Sequence, residues 1–181
     1  MVANHNSHAD GVTLMTSVPV DRLAITYPVA AEDYFGKSKL SAFLSWFLIN
    51  LLLIPRKRDE KNPKRDPIFI LDSFLKNGKS LIFFPEGSRG KAGKIQVFKK
   101  GLGHLMKENM NIPIIPVYLE GIGRVLPKGN KIMLPGITKI YFGNPIFLEN
   151  ESVEEIVEKA EKAVHDLKNR CDNNNSSNLR E

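Results

Sequence analysis

The chain has 181 residues, 42% hydrophobic and 25% charged, which is globular composition with enough length for one domain and a sizeable core. Its single cysteine, Cys171, excludes an internal disulfide framework and argues for a reducing compartment or indifference to redox state. The net charge of +6 is unevenly spread: residues 1–148 carry 21 Lys/Arg against 11 Asp/Glu, while residues 149–181 carry 5 against 9. A basic body points to anionic partners, and charge alone does not choose among phosphorylated small molecules, a lipid surface and nucleic acid.

The chain opens on Asn4-His5-Asn6-Ser7-His8-Ala9-Asp10, with no basic stretch leading into an apolar core, so export by a signal peptide is not expected. His5 and Asp10 stand five positions apart. If the chain turns between them, the carboxylate fixes the imidazole tautomer and the other ring nitrogen is left to accept a proton from a hydroxyl. A disordered polar terminus and a His5/His8/Asp10 metal clip are the alternatives that the spacing leaves open. A first strand is expected over Leu23–Val29. The apolar run Leu40–Ile54, with Phe43, Trp46 and Phe47, falls short of a membrane span, and it suits either a helix lying in a membrane interface or one packed in the core. Its end, Leu51–Ile54, also reads as a strand.

A basic run follows from Arg56 to Arg65. It holds no aromatic residue to stack on bases, so phosphate or lipid headgroups fit it better than nucleic acid. Asp66 and Pro67 then supply an N-cap and first-turn proline, Ile68, Leu71 and Leu75 a buried stripe, and Gly78 a left-handed stop. Ser80–Phe84 is continuously apolar after its first residue and is expected to be a central strand. At its carboxyl end lies Phe84-Pro85-Glu86-Gly87-Ser88-Arg89-Gly90. Such a loop is a usual ligand position in α/β sheets; two glycines permit close approach and Arg89 offers a planar fork for phosphate, although a plain turn with a surface arginine fits equally.

A helix is expected from Lys99 to about Asn109, opened by Phe98-Lys99-Lys100-Gly101. Ile114–Leu119 reads as a strand that Pro113 and Pro116 mark as an edge or a bend. Thr138–Phe142 is a further strand. The last helix carries a capping box, Ser152 with Glu155, and a stripe of Val153, Ile156, Val157, Ala160, Val164 and Leu167. Residues 172–178 are low-complexity and are expected to be disordered. His104 and His165 read as structural or exposed, and Gly121-Ile122-Gly123 is too short a pattern for a nucleotide site.

In this order the segments resemble the 1-acylglycerol-3-phosphate acyltransferases (lysophosphatidic acid acyltransferases). That family has an N-H-x4-D block, an I-D-R block, an F-P-E-G-T/S-R block and a P-I-x-P-V block. The matching residues here are His5 and Asp10, Arg56, Glu86 to Arg89, and Pro113 to Val117. The resemblance runs from Ala3 to about Leu148 and takes in Val29 to Phe35. Pro55 departs from it, standing where the family commonly has an acid. The three residues before the first block also depart, and a fragment, a misassigned start or a piece of a larger fusion would account for them.

The resemblance implies an α/β acyltransferase domain over residues 1–170, a central mixed and mostly parallel sheet flanked by helices, N-terminally truncated, with a polar tail at 171–181. It implies transfer of a fatty acyl group from acyl-CoA or acyl-carrier protein to the free hydroxyl of a lysophospholipid, as in phospholipid biosynthesis. His5 would be the general base and Asp10 its orienting partner. Arg56, Glu86, Gly87, Ser88, Arg89 and Lys100 would hold the phosphate and glycerol. Neither a cofactor nor a metal is implied beyond the thioester co-substrate. The partners are the two substrates, carrier protein and a membrane surface, with the protein peripheral on its cytoplasmic face and no nucleic acid involved. A non-catalytic lipid- or phosphate-binding module is the rival reading. A serine hydrolase lacks its G-x-S-x-G elbow.

Overall fold

The computed structural model describes residues 1–34, 50–57, 62–125 and 134–177. The chain divides into two compact units, Met1–Asp10 with Phe84–Glu181, and Gly11–Phe83. Both combine helices with a three-stranded sheet, and the architecture is α/β, with parallel pairing dominant as the sequence implies.

In the first unit, β1 (Val2–Ala3) pairs parallel with β5 (Pro116–Glu120), which pairs antiparallel with β6 (Lys139–Phe142). The double proline leads to the expectation of an edge or bend, yet β5 is the middle strand. Pro113 lies outside the ladder and Pro116 opens it, a position where a missing N–H interrupts least. Val117, Tyr118 and Leu119 are all buried.

This unit holds α4 (Gly101–Lys107), α5 (Ile122–Val125) and α6 (Val153–Ser177); α4 and α6 pack on one another, and α6 also covers β5. The capping box forms as read: the Ser152 N–H donates to Glu155 Oε2 at 2.7 Å and the Glu155 N–H to Ser152 Oγ at 3.3 Å. Ile156, Val157, Ala160, Val164 and Leu167 are buried at helical spacing. Gly103 of α4 has a packing reason, since a Cβ there would stand 2.3 Å from the Val153 carbonyl oxygen. The expectation of disorder over residues 172–178 is corrected through Ser177. Helix α6 continues to that residue and buries Cys171, whose Sγ donates to Glu120 Oε2 at 3.0 Å. The apolar spacing that ends the stripe reaches one turn further than Leu167, and that turn carries the helix into the asparagine run.

In the second unit, α1 (Asp10–Met15, whose first residue belongs to the first unit) and α2 (Val20–Leu23) precede β2 (Thr26–Ala31). Leu23 therefore ends a helical turn, and the strand expected from it starts three residues later. Strand β2 is the middle of a parallel sheet with β3 (Leu52–Ile54) and β4 (Ser80–Ile82) at its sides. Its first half, Thr26–Pro28, pairs with β4 and its second, Val29–Ala31, with β3, so Pro28 sits where the pairing changes partner. The expectation that Ser80–Phe84 takes the middle of its sheet is thus not met in this sheet, although Leu81 and Ile82 are buried as their apolar run requires. Helix α3 (Pro67–Lys76) packs on β4 and is capped as predicted, Asp66 Oδ1 accepting from the Ile68 N–H at 2.8 Å. Gly78 takes φ +71 directly after it.

Among the described residues no helix is long and apolar enough to cross a membrane. Most of the Leu40–Ile54 segment, including Trp46, lies outside the described residues; its last three residues are β3.

Candidate active site

The site is built where β1 ends. The side chain of Asn4 replaces the next rung of the ladder: its Oδ1 accepts from the Leu119 N–H at 2.7 Å and its Nδ2 donates to the Leu119 carbonyl at 3.1 Å. This frees the backbone to turn away from the sheet while no strand group is left unpaired. His5 is the first residue beyond. Its N–H donates to Glu86 Oε1 at 2.8 Å, its carbonyl accepts from the Gly90 N–H at 2.8 Å, and its ring stacks on Phe84 with centroids 4.4 Å apart.

The turn anticipated between His5 and Asp10 is present. His5 Nδ1 donates to Asp10 Oδ2 at 2.8 Å, and the same oxygen accepts from the Asn6 N–H at 2.7 Å and the Ser7 N–H at 2.9 Å. With two backbone donors already on it, that oxygen is an acceptor, which assigns the proton of the third contact to His5 Nδ1 and leaves Nε2 with a lone pair. Asp10 is fully buried, while the His5 side chain retains 22% exposure, so the reactive ring alone meets solvent. A hydrogen-bond distance between ring and carboxylate leaves no room for an ion between them. Among the described residues no three His, Cys, Asp or Glu side chains are grouped to hold a metal.

Glu86 is only 2% exposed. Burial pushes its carboxyl up to about 7, against hydrogen bonds from His5 and Gln96 that pull it down. Its Oε2 accepts from Gln96 Nε2 at 3.0 Å, and Gln96 also donates to the Ser88 carbonyl at 2.9 Å. Glu86 thus ties the loop to the backbone of His5. Gly87 takes φ +68 in the turn that follows, closed by its own N–H to the Phe84 carbonyl at 3.1 Å. Ser88 is exposed and Arg89 is half-buried. The pKa of the His8 imidazole is lowered first by burial and then by the Arg89 charge.

Lys100 forms an exposed ion pair with Glu154 at 2.7 Å, because the first turn of α6 presents that carboxylate to it. Arg56 belongs to the second unit, where its Nε donates to Asp33 Oδ1 at 2.8 Å and Oδ2 at 2.6 Å. With Arg65 on Glu32 at 2.7 Å, the acidic turn after β2 pairs with Arg56 and Arg65 at the two ends of the basic run. Phe84, Asn4 and Gln96 escaped the sequence reading. Phe84 and Asn4 act through contacts made far along the chain, and Gln96 through a loop contact ten residues back, for which spacing carries no signal.

A model of the Acyltransferase family matches residues 1–120. The chain belongs to that family. Among proteins similar to it, the 1-acyl-sn-glycerol-3-phosphate acyltransferase BAT2, chloroplastic, of Brassica napus is 28% identical over 151 residues, covering 81% of this chain and 40% of that protein. The 1-acyl-sn-glycerol-3-phosphate acyltransferase of Saccharomyces cerevisiae is 28% identical over 166 residues, covering 90% and 52%. The chain thus spans about half the length, or less, of these relatives. The crystal structure of the 1-acyl-sn-glycerophosphate acyltransferase PlsC from Thermotoga maritima is similar with a TM-score of 0.64 at 24% identity, over 93% of this chain and 64% of that one. At that identity the similarity establishes the family's fold.

Proposed function

We propose that the chain transfers a fatty acyl group from a thioester, acyl-CoA or acyl-carrier protein, to the free hydroxyl of 1-acylglycerol-3-phosphate. The observation that carries the proposal is the 2.8 Å contact between His5 Nδ1 and the buried Asp10 carboxylate, which leaves Nε2 as a base on a ring held by Phe84. The acceptor hydroxyl gives its proton to Nε2 as its oxygen bonds to the thioester carbonyl carbon. The carbon–sulfur bond then breaks and the imidazolium returns the proton to the departing thiolate. Asp10 stabilises the transient cation. Arg89, on the loop that Glu86 ties to the His5 backbone, supplies positive charge for the acceptor phosphate. An acceptor that carries its own acyl chain brings the reaction to a lipid surface, and we place the protein peripherally on the cytoplasmic face of a membrane.

The test is incubation with labelled acyl-CoA or acyl-carrier protein and a panel of lysophospholipids, with His5→Ala as control. Transfer to 1-acylglycerol-3-phosphate that falls about 10²- to 10⁴-fold in His5→Ala is expected. Near-normal transfer by that variant would overturn the assignment of the base, and tight lysophospholipid binding without any transfer would favour a non-catalytic binding module.

A further inference from the structure

Lys99, rather than Lys100, is the lysine that turns toward the Glu86–Arg89 loop. Its backbone is fixed on both sides. The Lys99 N–H donates to the Pro85 carbonyl at 2.9 Å, and the N–H of buried Phe98 donates to Glu161 Oε2 at 3.0 Å. From there the side chain lies across Gly87. A Cβ built on that glycine would stand 2.9 Å from Lys99 Nζ, 3.2 Å from Cδ and 3.3 Å from Cε. Gly87 thus serves two purposes: its φ of +68 makes the turn, and its missing side chain admits the ammonium.

The neighbouring charges separate the two lysines. Lys100 is compensated by Glu154. Lys99 has no carboxylate within ion-pair distance among the described residues, and Glu86 has both its oxygens engaged by His5 and Gln96. An uncompensated cation, laid over a turn that leads two residues later to Arg89 and is tied by Glu86 to His5, matches a multiply charged anion.

Building on the acyl-transfer reading above, we propose that Lys99 binds a phosphate monoester of a substrate. Two substrates carry that group, the lysophosphatidic acid headgroup and the 3′-phosphate of coenzyme A. The experiment separates them and compares wild type, Lys99→Gln, Lys99→Arg and Lys100→Gln, with melting curves to establish that each is folded. Binding of lysophosphatidic acid is measured without donor, against monoacylglycerol. Turnover is measured with acyl-CoA and with acyl-dephospho-CoA.

Lys99→Gln is expected to weaken lysophosphatidic acid binding and raise its KM about tenfold, the lower end for one charge-assisted contact, with kcat little changed. Lys99→Arg should retain affinity and Lys100→Gln should behave as wild type. If the KM effect falls on acyl-CoA and vanishes with its dephospho form, Lys99 binds the donor's phosphate and the proposal still holds. Gly87→Ala, which crowds the ammonium without removing it, should change affinity in the same direction and provides a second check should Lys99→Gln melt early. Wild-type affinity of Lys99→Gln for both phosphate monoesters, or equal losses in Lys99→Gln and Lys100→Gln, would overturn it. A wild type that binds lysophosphatidic acid through Lys99 yet transfers nothing would sink the acyl-transfer reading alone, whereas one that neither binds nor transfers would sink both.

Discussion

Replacing Asp10 by asparagine removes a charge without changing shape, and its cost follows from the contacts of the two carboxylate oxygens. Oδ2 accepts from His5 Nδ1 and from the N–H groups of Asn6 and Ser7, while Oδ1 is buried with no hydrogen-bond partner among the described residues. The introduced asparagine must keep its oxygen toward the three donors, which puts its NH2 in the Oδ1 position, and an unpaired buried donor costs about 1–3 kcal/mol. The three bonds also lose their charge assistance, a loss offset in part because no charge is buried any longer. We therefore expect a net destabilisation of about 2–3 kcal/mol, read as a shift of the urea midpoint at constant m-value.

The catalytic loss should be larger. A neutral amide oxygen still accepts from Nδ1 but does not stabilise the His5 cation, and kcat should fall about 10²- to 10⁴-fold. Thiol release from acyl-CoA at saturating acceptor measures it, under conditions where denaturation shows the variant folded. A further control is the double variant, since Asp10→Asn added to His5→Ala should cost little more if the carboxylate works only through the ring. A folded Asp10→Asn enzyme with kcat within about tenfold of wild type, or an additive double variant, would refute the argument.

Other outcomes follow from the same geometry. Glu86 is pushed up to about 7 from an ordinary 4.5, so between those values the folded state holds more protons than the unfolded one; its contribution to stability is fully present below about pH 4.5 and is lost as pH rises toward 7. Denaturation of wild type and Glu86→Gln from pH 4 to 8 should show this decline in wild type and its absence in the variant. Phe84→Ala removes the ring stacked on His5 and should lower kcat about three- to tenfold, the value of one aromatic pair, in steady-state assays. Asn4→Ala leaves the buried Leu119 N–H and carbonyl without partners and should cost about 2–4 kcal/mol in chemical denaturation, with amide exchange at Leu119 accelerated. Ser152→Ala removes the cap of α6 and should cost about 1 kcal/mol in the same measurement.

What the amino-acid order settles by itself is what neighbouring residues decide. Helix α3 has its cap and its stop within one short stretch, from Asp66 to Gly78, and the capping box of α6 is complete within Ser152–Glu155. His5 and Asp10 are likewise close enough in the chain for one turn to join them. In each case the interacting groups lie a few bonds apart, so spacing is a fair guide to contact. Tertiary structure decides the rest, because its contacts join residues far apart in the chain, 54 positions for Lys100 with Glu154 and 115 for Asn4 with Leu119. Only there does Asn4 extend a ladder onto Leu119, Glu86 take hold of the His5 backbone, and Glu154 draw off Lys100 and leave Lys99 to face the loop. Two adjacent lysines are equivalent in a sequence; their different surroundings come from a carboxylate that a helix 54 residues later presents to one of them.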